Sequence, residues 1–240
     1  MTASAASAPP AAAPNGELTA VVVSAGTSSP SSSTMLGTRA AARFSELAAA
    51  EGQQVTVQLV DLGPLARDIA EAIVTRFVSP ELQKALDLVR DAAALIVTTP
   101  VYKAGPSGLF TSFFQTLDND VLIGTPVLLA ATAGSSRHAL VIDEQLRSLF
   151  SYMRAVTAPT ALFAAPEDWG ADLNKRIDRA AVELAALVAG GFRERVRGTS
   201  WHSYQHSFGS AGSSAAGANS AAEINLDSDL MRLAAGGSAS

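Results

Sequence analysis

The chain has 240 residues, 48% of them hydrophobic, and a formal charge of −5, which is enough material for one sizeable α/β domain. It has no cysteine, so disulfides, thiolate nucleophiles and zinc-thiolate sites are excluded, as fits a reducing cytoplasm. No basic block neutralises a run of phosphates, and no apolar run approaches the roughly 18 residues of a membrane span. A soluble, cytoplasmic protein with neither nucleic acid nor membrane as partner is expected.

Residues 1–16 are almost wholly Ala, Pro and Ser, and Pro9, Pro10 and Pro14 interrupt any secretory-type apolar core. They predict a disordered arm, because they bury too little apolar surface to offset the entropy of ordering. Leu18–Ser24 (LTAVVVS) reads as a strand buried on both faces. Ser33 and Thr34 precede a helical pattern through Leu36, Ala40, Phe44 and Leu47, closed by Gly52. Val55–Asp61 is a second strand, Leu65–Val74 a weak helix, and Pro80–Arg90 a clearer one. Ala93–Thr99 is the third strand, Ser107–Leu117 a helix rich in Phe, and Pro126–Thr132 the fourth strand. His138–Met153 predicts one long amphipathic helix, Thr160–Ala164 a fifth strand, and Ala171–Val196 a final helix.

Five alternations of strand and helix give an α/β fold: a parallel sheet wrapped on both faces, since each crossover must be long and right-handed. The expected architecture is a flavodoxin-like doubly wound sheet of order 2-1-3-4-5 spanning residues 17–198. Beyond it, 199–240 predicts a flexible tail. Gly209–Ser220 has linker composition, and Glu223–Leu233 is either a short amphipathic helix or disordered.

Ligands of such sheets bind beyond the carboxyl ends of the strands, which directs attention to three loops. The first, Ser24–Thr34, consists mostly of hydroxyl residues and enters a helix amino end, where free N–H groups and the helix dipole can hold a phosphate. The G-x-G-x-x-G fingerprint and the P-loop are absent, and Asp61 alone is a weak dinucleotide signal. A capping loop without ligand is the alternative. The second, Thr98–Ser107, has Pro100 as it leaves the strand. Val101, Tyr102 and Lys103 are expected to lack strand partners and to present backbone groups to a planar ring, with Tyr102 otherwise a loop aromatic. The third, Thr132–His138, has small residues that let backbone approach a flat ligand. His138 reads as a structural hydrogen-bonder and Glu167–Trp169 as an ordinary loop, with the site's rim as the alternative. His202 and His206 lack a third metal ligand, and no G-x-S-x-G elbow supports hydrolase chemistry.

The Ser-rich first turn, T-P-V-Y-K-A at Thr99–Ala104 with S-G-L following, and A-T-A-G-S-S-R-H-A-L-V-I-D at Ala131–Asp143 together resemble the NAD(P)H-dependent FMN reductase family. The resemblance spans roughly residues 21–165, and is nearest to reductases that supply a separate luciferase-like monooxygenase. It implies FMN as cofactor, NADH or NADPH as hydride donor, a flavin-dependent monooxygenase as partner, and a homodimer or homotetramer. It implies phosphate binding by Thr27, Ser32, Ser33 and Thr34. Pro100, Val101, Tyr102 and Lys103 would lie along the ribityl chain and ring, and Ala133, Gly134, Ser135 and Ser136 on the ring's other side. Ser28 and Ser29 stand where common forms of the first loop have an Arg. No catalytic side chain is expected, because the cofactor carries the chemistry while the protein positions two rings. Two alternatives are an FMN-bound quinone or azo reductase and a non-enzymatic FMN-binding carrier or interaction module.

Overall fold

The computed structural model describes residues 17–204. The arm at 1–16, the Gly209–Ser220 linker, His206 and the Glu223–Leu233 segment lie outside the described residues. The β-branched run Leu18–Ser24 forms β1, an inner strand of a parallel sheet with β2 (Val55–Asp61), β3 (Ala94–Tyr102) and β5 (Pro126–Thr132). The order is β2-β1-β3-β5, and two short strands, β6 (Val156–Thr157) and β7 (Leu162–Ala164), both pair with the outer side of β5. The expected doubly wound order is therefore present, with its fifth position divided between two strands. Pro159 falls between them, where the missing N–H would break a continuous ladder.

Strand alternation sorts the core into two layers. Val21, Val23, Leu95, Val97, Val127 and Leu129 face α2 (Ala66–Thr75), α3 (Pro80–Asp91), α4 (Gly108–Gln115) and α5 (Arg147–Tyr152). Ala20, Val22, Ala94, Ile96, Leu128 and Ala130 face α1 (Ser32–Ala50) and α6 (Ala171–Ala189). On the first side Phe110, Phe114 and Phe150 pack ring against ring, at 4.8 and 4.9 Å between successive centroids. Each buried Phe contributes about 1.5–3 kcal/mol. Serines cap three helices: Ser31 for α1, Ser79 for α3 and Ser107 for α4 each accept an N–H from the first turn.

Three sequence expectations are corrected. The segment His138–Met153 is not one α-helix but a 3₁₀ turn at Ser136–His138, a π-helical stretch at Ile142–Leu146, and α5. The wider π turn rotates the apolar stripe, so Ile142, Leu146 and Phe150 are buried while Leu140 is 65% exposed. The helix expected over Ala171–Val196 breaks at Gly190–Gly191, where Gly191 has φ +59°, and α7 (Phe192–Tyr204) follows. Polar anchors fix α7: Arg193 and Arg197 donate to the Arg90 and Val121 carbonyls, each at 2.6 Å. Burial, with the neighbouring Arg197 charge, lowers the Arg193 pKa to about 10. Finally, Val101 and Tyr102 do have strand partners. They pair with β4 (Gly105–Pro106) in a two-residue hairpin, whose turn residues Lys103 and Ala104 have φ of +52° and +62°, as a type I′ turn requires. Among the described residues no helix is long and apolar enough to cross a membrane.

Candidate functional site

β1, β3, β5 and β7 all end at the same sheet edge, and their exits are tied together by short-range polar contacts. Ala25 N–H donates to the Thr98 carbonyl at 3.0 Å, so the chain leaves β1 beside β3. Ser24 Oγ accepts the Gly26 N–H at 3.3 Å and shares a 2.9 Å hydrogen bond with Thr34 Oγ1. Gly26 packs so closely that a Cβ there would stand 1.9 Å from Ser31 Oγ. That hydroxyl caps α1 by accepting the Thr34 N–H at 3.1 Å. The capped helix leaves the Ser32 and Ser33 N–H groups without intrahelical acceptors, at the positive end of the helix dipole.

The other loops are fixed just as locally. Ser33 Oγ and Thr132 Oγ1 share a buried 2.7 Å hydrogen bond joining the start of α1 to the end of β5. Thr99 Oγ1 accepts the Ser107 N–H at 3.0 Å, closing the base of the β3–β4 hairpin, and Gln145 Nε2 donates to the Ala104 carbonyl at 3.0 Å at its tip. Ala133 N–H donates to the Ala164 carbonyl at 3.1 Å. Beyond β7, Asp168 Oδ2 accepts the Ala165 N–H at 2.8 Å and shapes the turn that carries Pro166 and Trp169.

These loops enclose a cleft of about 560 Å³. Of the residues singled out from sequence, Thr27, Ser32, Ser33, Pro100, Val101, Tyr102, Ala133 and Gly134 line it. Four stand outside its lining. Thr34 shares a hydroxyl hydrogen bond with Ser24, and Lys103 sits at the hairpin tip. Ser135 Oγ accepts the Arg137 N–H at 3.4 Å, and Ser136 begins the 3₁₀ turn. Asp61 is engaged in its own turn, accepting the Gly63 N–H at 3.0 Å. No ionised side chain from the described residues lines the cleft. One end is rich in hydroxyl and N–H donors, whereas Pro100, Val101, Ala133 and Ala164 make apolar walls.

Sequence reasoning missed Met35, Ala164 and Pro166, and read Trp169 as part of an ordinary loop with the site's rim as the alternative; all four line the cleft. Met35 was legible as a large apolar residue one position off the buried stripe of α1, and it is 44% exposed. Trp169 was legible as the aromatic in the fourth loop of the same sheet edge. The described residues contain no cluster of three metal-ligating side chains.

The family model described as NADPH-dependent FMN reductase matches residues 18–170. A protein of Pseudomonas putida, NADH-dependent FMN reductase SfnE, is 43% identical over 171 residues, which are 71% of this chain and 87% of the relative. FMN reductase (NADPH) of Pseudomonas aeruginosa is 38% identical over 185 residues, 74% of this chain and 95% of the relative. Among solved structures, an oxidoreductase from Corynebacterium diphtheriae superposes with a TM-score of 0.70 at 43% identity, covering 72% of this chain and 98% of that one.

Proposed function

The chain belongs to the NADPH-dependent FMN reductase family, and from that membership we propose that its cleft seats FMN for reduction by NADH or NADPH. The observation that carries this reading is the convergence of one donor-rich helix start and two small-residue loops on a single uncharged cleft.

The donor set fits the group. A phosphate dianion needs several N–H or O–H donors and no nearby carboxylate; the Ser32 and Ser33 N–H groups and the hydroxyls of Thr27 and Ser32 provide that without a lysine or arginine. A tricyclic ring needs flat apolar walls approached by backbone. Pro100–Tyr102 supply one, and Ala133–Gly134 the other, with no heavy atom within 4 Å of where a Gly134 Cβ would be. Met35 and Trp169 shield a side from water. When bound, FMN supplies the ring that accepts hydride from the nicotinamide. The chain's own work is to hold the phosphate, clamp the ring between two rigid turns, and leave room for the donor to align with it. None of these tasks needs a side chain that gains or loses a proton.

In the same reading the reduced flavin leaves for a separate flavin-dependent monooxygenase, a role supported by the cleft's opening to solvent. The chain self-associates as a homodimer or homotetramer, which exposed Val74, Phe77, Leu140 and Tyr152 support and light scattering tests. The reaction runs in the cytoplasm, where reduced nicotinamide is held. The direct test of the activity is NADH and NADPH oxidation with and without added FMN. Turnover that rises and saturates with FMN is expected; absence of FMN-dependent turnover with both nucleotides refutes the reading.

A further inference from the structure

Arg39 lies one turn beyond Met35 on α1, and its guanidinium is held over the Trp169 ring at 5.8 Å from the centroid. Its Nη2 donates to Asn174 Oδ1 on α6 at 2.5 Å. Both partners are neutral. The next arginine along the helix, Arg43, is instead matched by two carboxylates, Glu46 at 2.9 Å and Asp178 at 2.7 Å. The contrast is chemical: Arg43 is paired with two carboxylates, whereas Arg39 is held by neutral partners and makes no ion pair within 4 Å among the described residues. A planar guanidinium oriented by an amide and an aromatic face, with donors left over, is suited to a phosphate.

Position decides which phosphate. Arg39 is six to seven residues past Ser32 and Ser33, about 10 Å along the helix axis, and its guanidinium, held by Asn174 and Trp169, is not among the groups lining the cleft. Its anion is a second one. Trp169 and Met35 belong to the cleft wall, and Arg39 stands against the outer side of that wall. Beyond it, the depression of about 210 Å³ between α1 and α6 is lined by Glu46 and Asp178, each paired with Arg43, so a phosphate is met at Arg39 itself and not deeper along that depression. A ligand lying over the exposed side of the cleft and continuing along α1 passes Trp169 and meets Arg39. A nicotinamide dinucleotide has that form, with its phosphates several bonds from the reacting ring.

We propose that Arg39, pinned by Asn174 against Trp169, recognises a phosphate of the nicotinamide dinucleotide donor and thereby sets donor affinity. The identity of the ligand rests on the FMN reductase reading; the anion site itself does not. Trp169 and Trp201 are the chain's two tryptophans, so a Trp201→Phe protein leaves Trp169 as the sole indole reporter. Titrating it with ADP and with adenosine 2′,5′-bisphosphate should quench Trp169 emission saturably. Adding Arg39→Ala should weaken that binding about tenfold or more, the loss expected for one charge-assisted contact, and Arg39→Lys should recover part of it. In turnover, Arg39→Ala should raise KM for the donor by a similar factor while kcat and FMN affinity stay unchanged. A rise for NADH and NADPH alike assigns the shared diphosphate, and a rise for NADPH alone assigns the 2′-phosphate; each supports the site. Unchanged titrations together with unchanged KM for both donors overturn it. If FMN fails to bind yet Arg39-dependent nucleotide quenching persists, the reductase reading falls while the phosphate site stands.

Discussion

Replacing Gly26 with Ala tests the packing that shapes the start of α1. The added Cβ would sit 1.9 Å from Ser31 Oγ, with Ser31 Cβ at 3.1 Å and Ser33 Cβ at 3.2 Å, so the Ser31 hydroxyl must turn away. It then leaves the Thr34 N–H that it caps at 3.1 Å. Loss of a serine cap costs about 1 kcal/mol, in a range of about 0.5–2. Ser31→Ala removes the same bond directly and should cost about the same. The two substitutions destroy one interaction, so the double variant should be destabilised by about 1–1.5 kcal/mol rather than about 2, a coupling of about 0.5–1 kcal/mol. Urea denaturation of the four proteins, read at constant m, measures this. Additivity within about 0.3 kcal/mol would show that Gly26 does not act through the Ser31 cap.

Other substitutions separate stability from the site. Ser33→Ala strands the buried Thr132 hydroxyl of a 2.7 Å pair and should cost about 1–2 kcal/mol, seen as a lower Tm. Arg193→Ala frees α7 from the Arg90 carbonyl and should destabilise by about 1–3 kcal/mol. FMN affinity should be unchanged, because Arg193 lies at the opposite sheet edge from the cleft; a coupled loss of affinity in a titration would contradict that separation. Ala104→Gly relieves a φ of +62° and should stabilise by about 1 kcal/mol, raising Tm without altering the hairpin.

The fold was readable where one physical signal dominated. The apolar run of β1 and the stripe Leu36–Ala40–Phe44 on α1 announce burial by composition and period, and both are buried. Reading failed where geometry depends on partners distant in sequence. Nothing in Ile142–Leu146 marks a π turn, and α7 has too few apolar positions to show a face, since its anchors are two arginines reaching backbone carbonyls. The site followed the same division. Proximity to a strand's carboxyl end pointed to Thr27, Pro100 and Gly134, all in the cleft lining. Trp169 reads first as an ordinary loop residue, with the site's rim only as the alternative, because the loop after the fifth strand carries no motif of its own. Thr34 was placed among phosphate-binding positions by resemblance; it stands outside the cleft lining, with its hydroxyl hydrogen-bonded to Ser24.

The proposed site seats a flat, phosphorylated flavin against the Ala133–Gly134 backbone with its phosphate on the start of α1. Equilibrium titration of FMN into the unmodified protein and into Gly134→Ala tests it, since a methyl there meets no protein atom within 4 Å and leaves the fold intact. Saturable binding by the first, weakened about tenfold or more in the second at equal Tm, is the expected result. No saturable binding, or equal affinity in the two proteins, would contradict it.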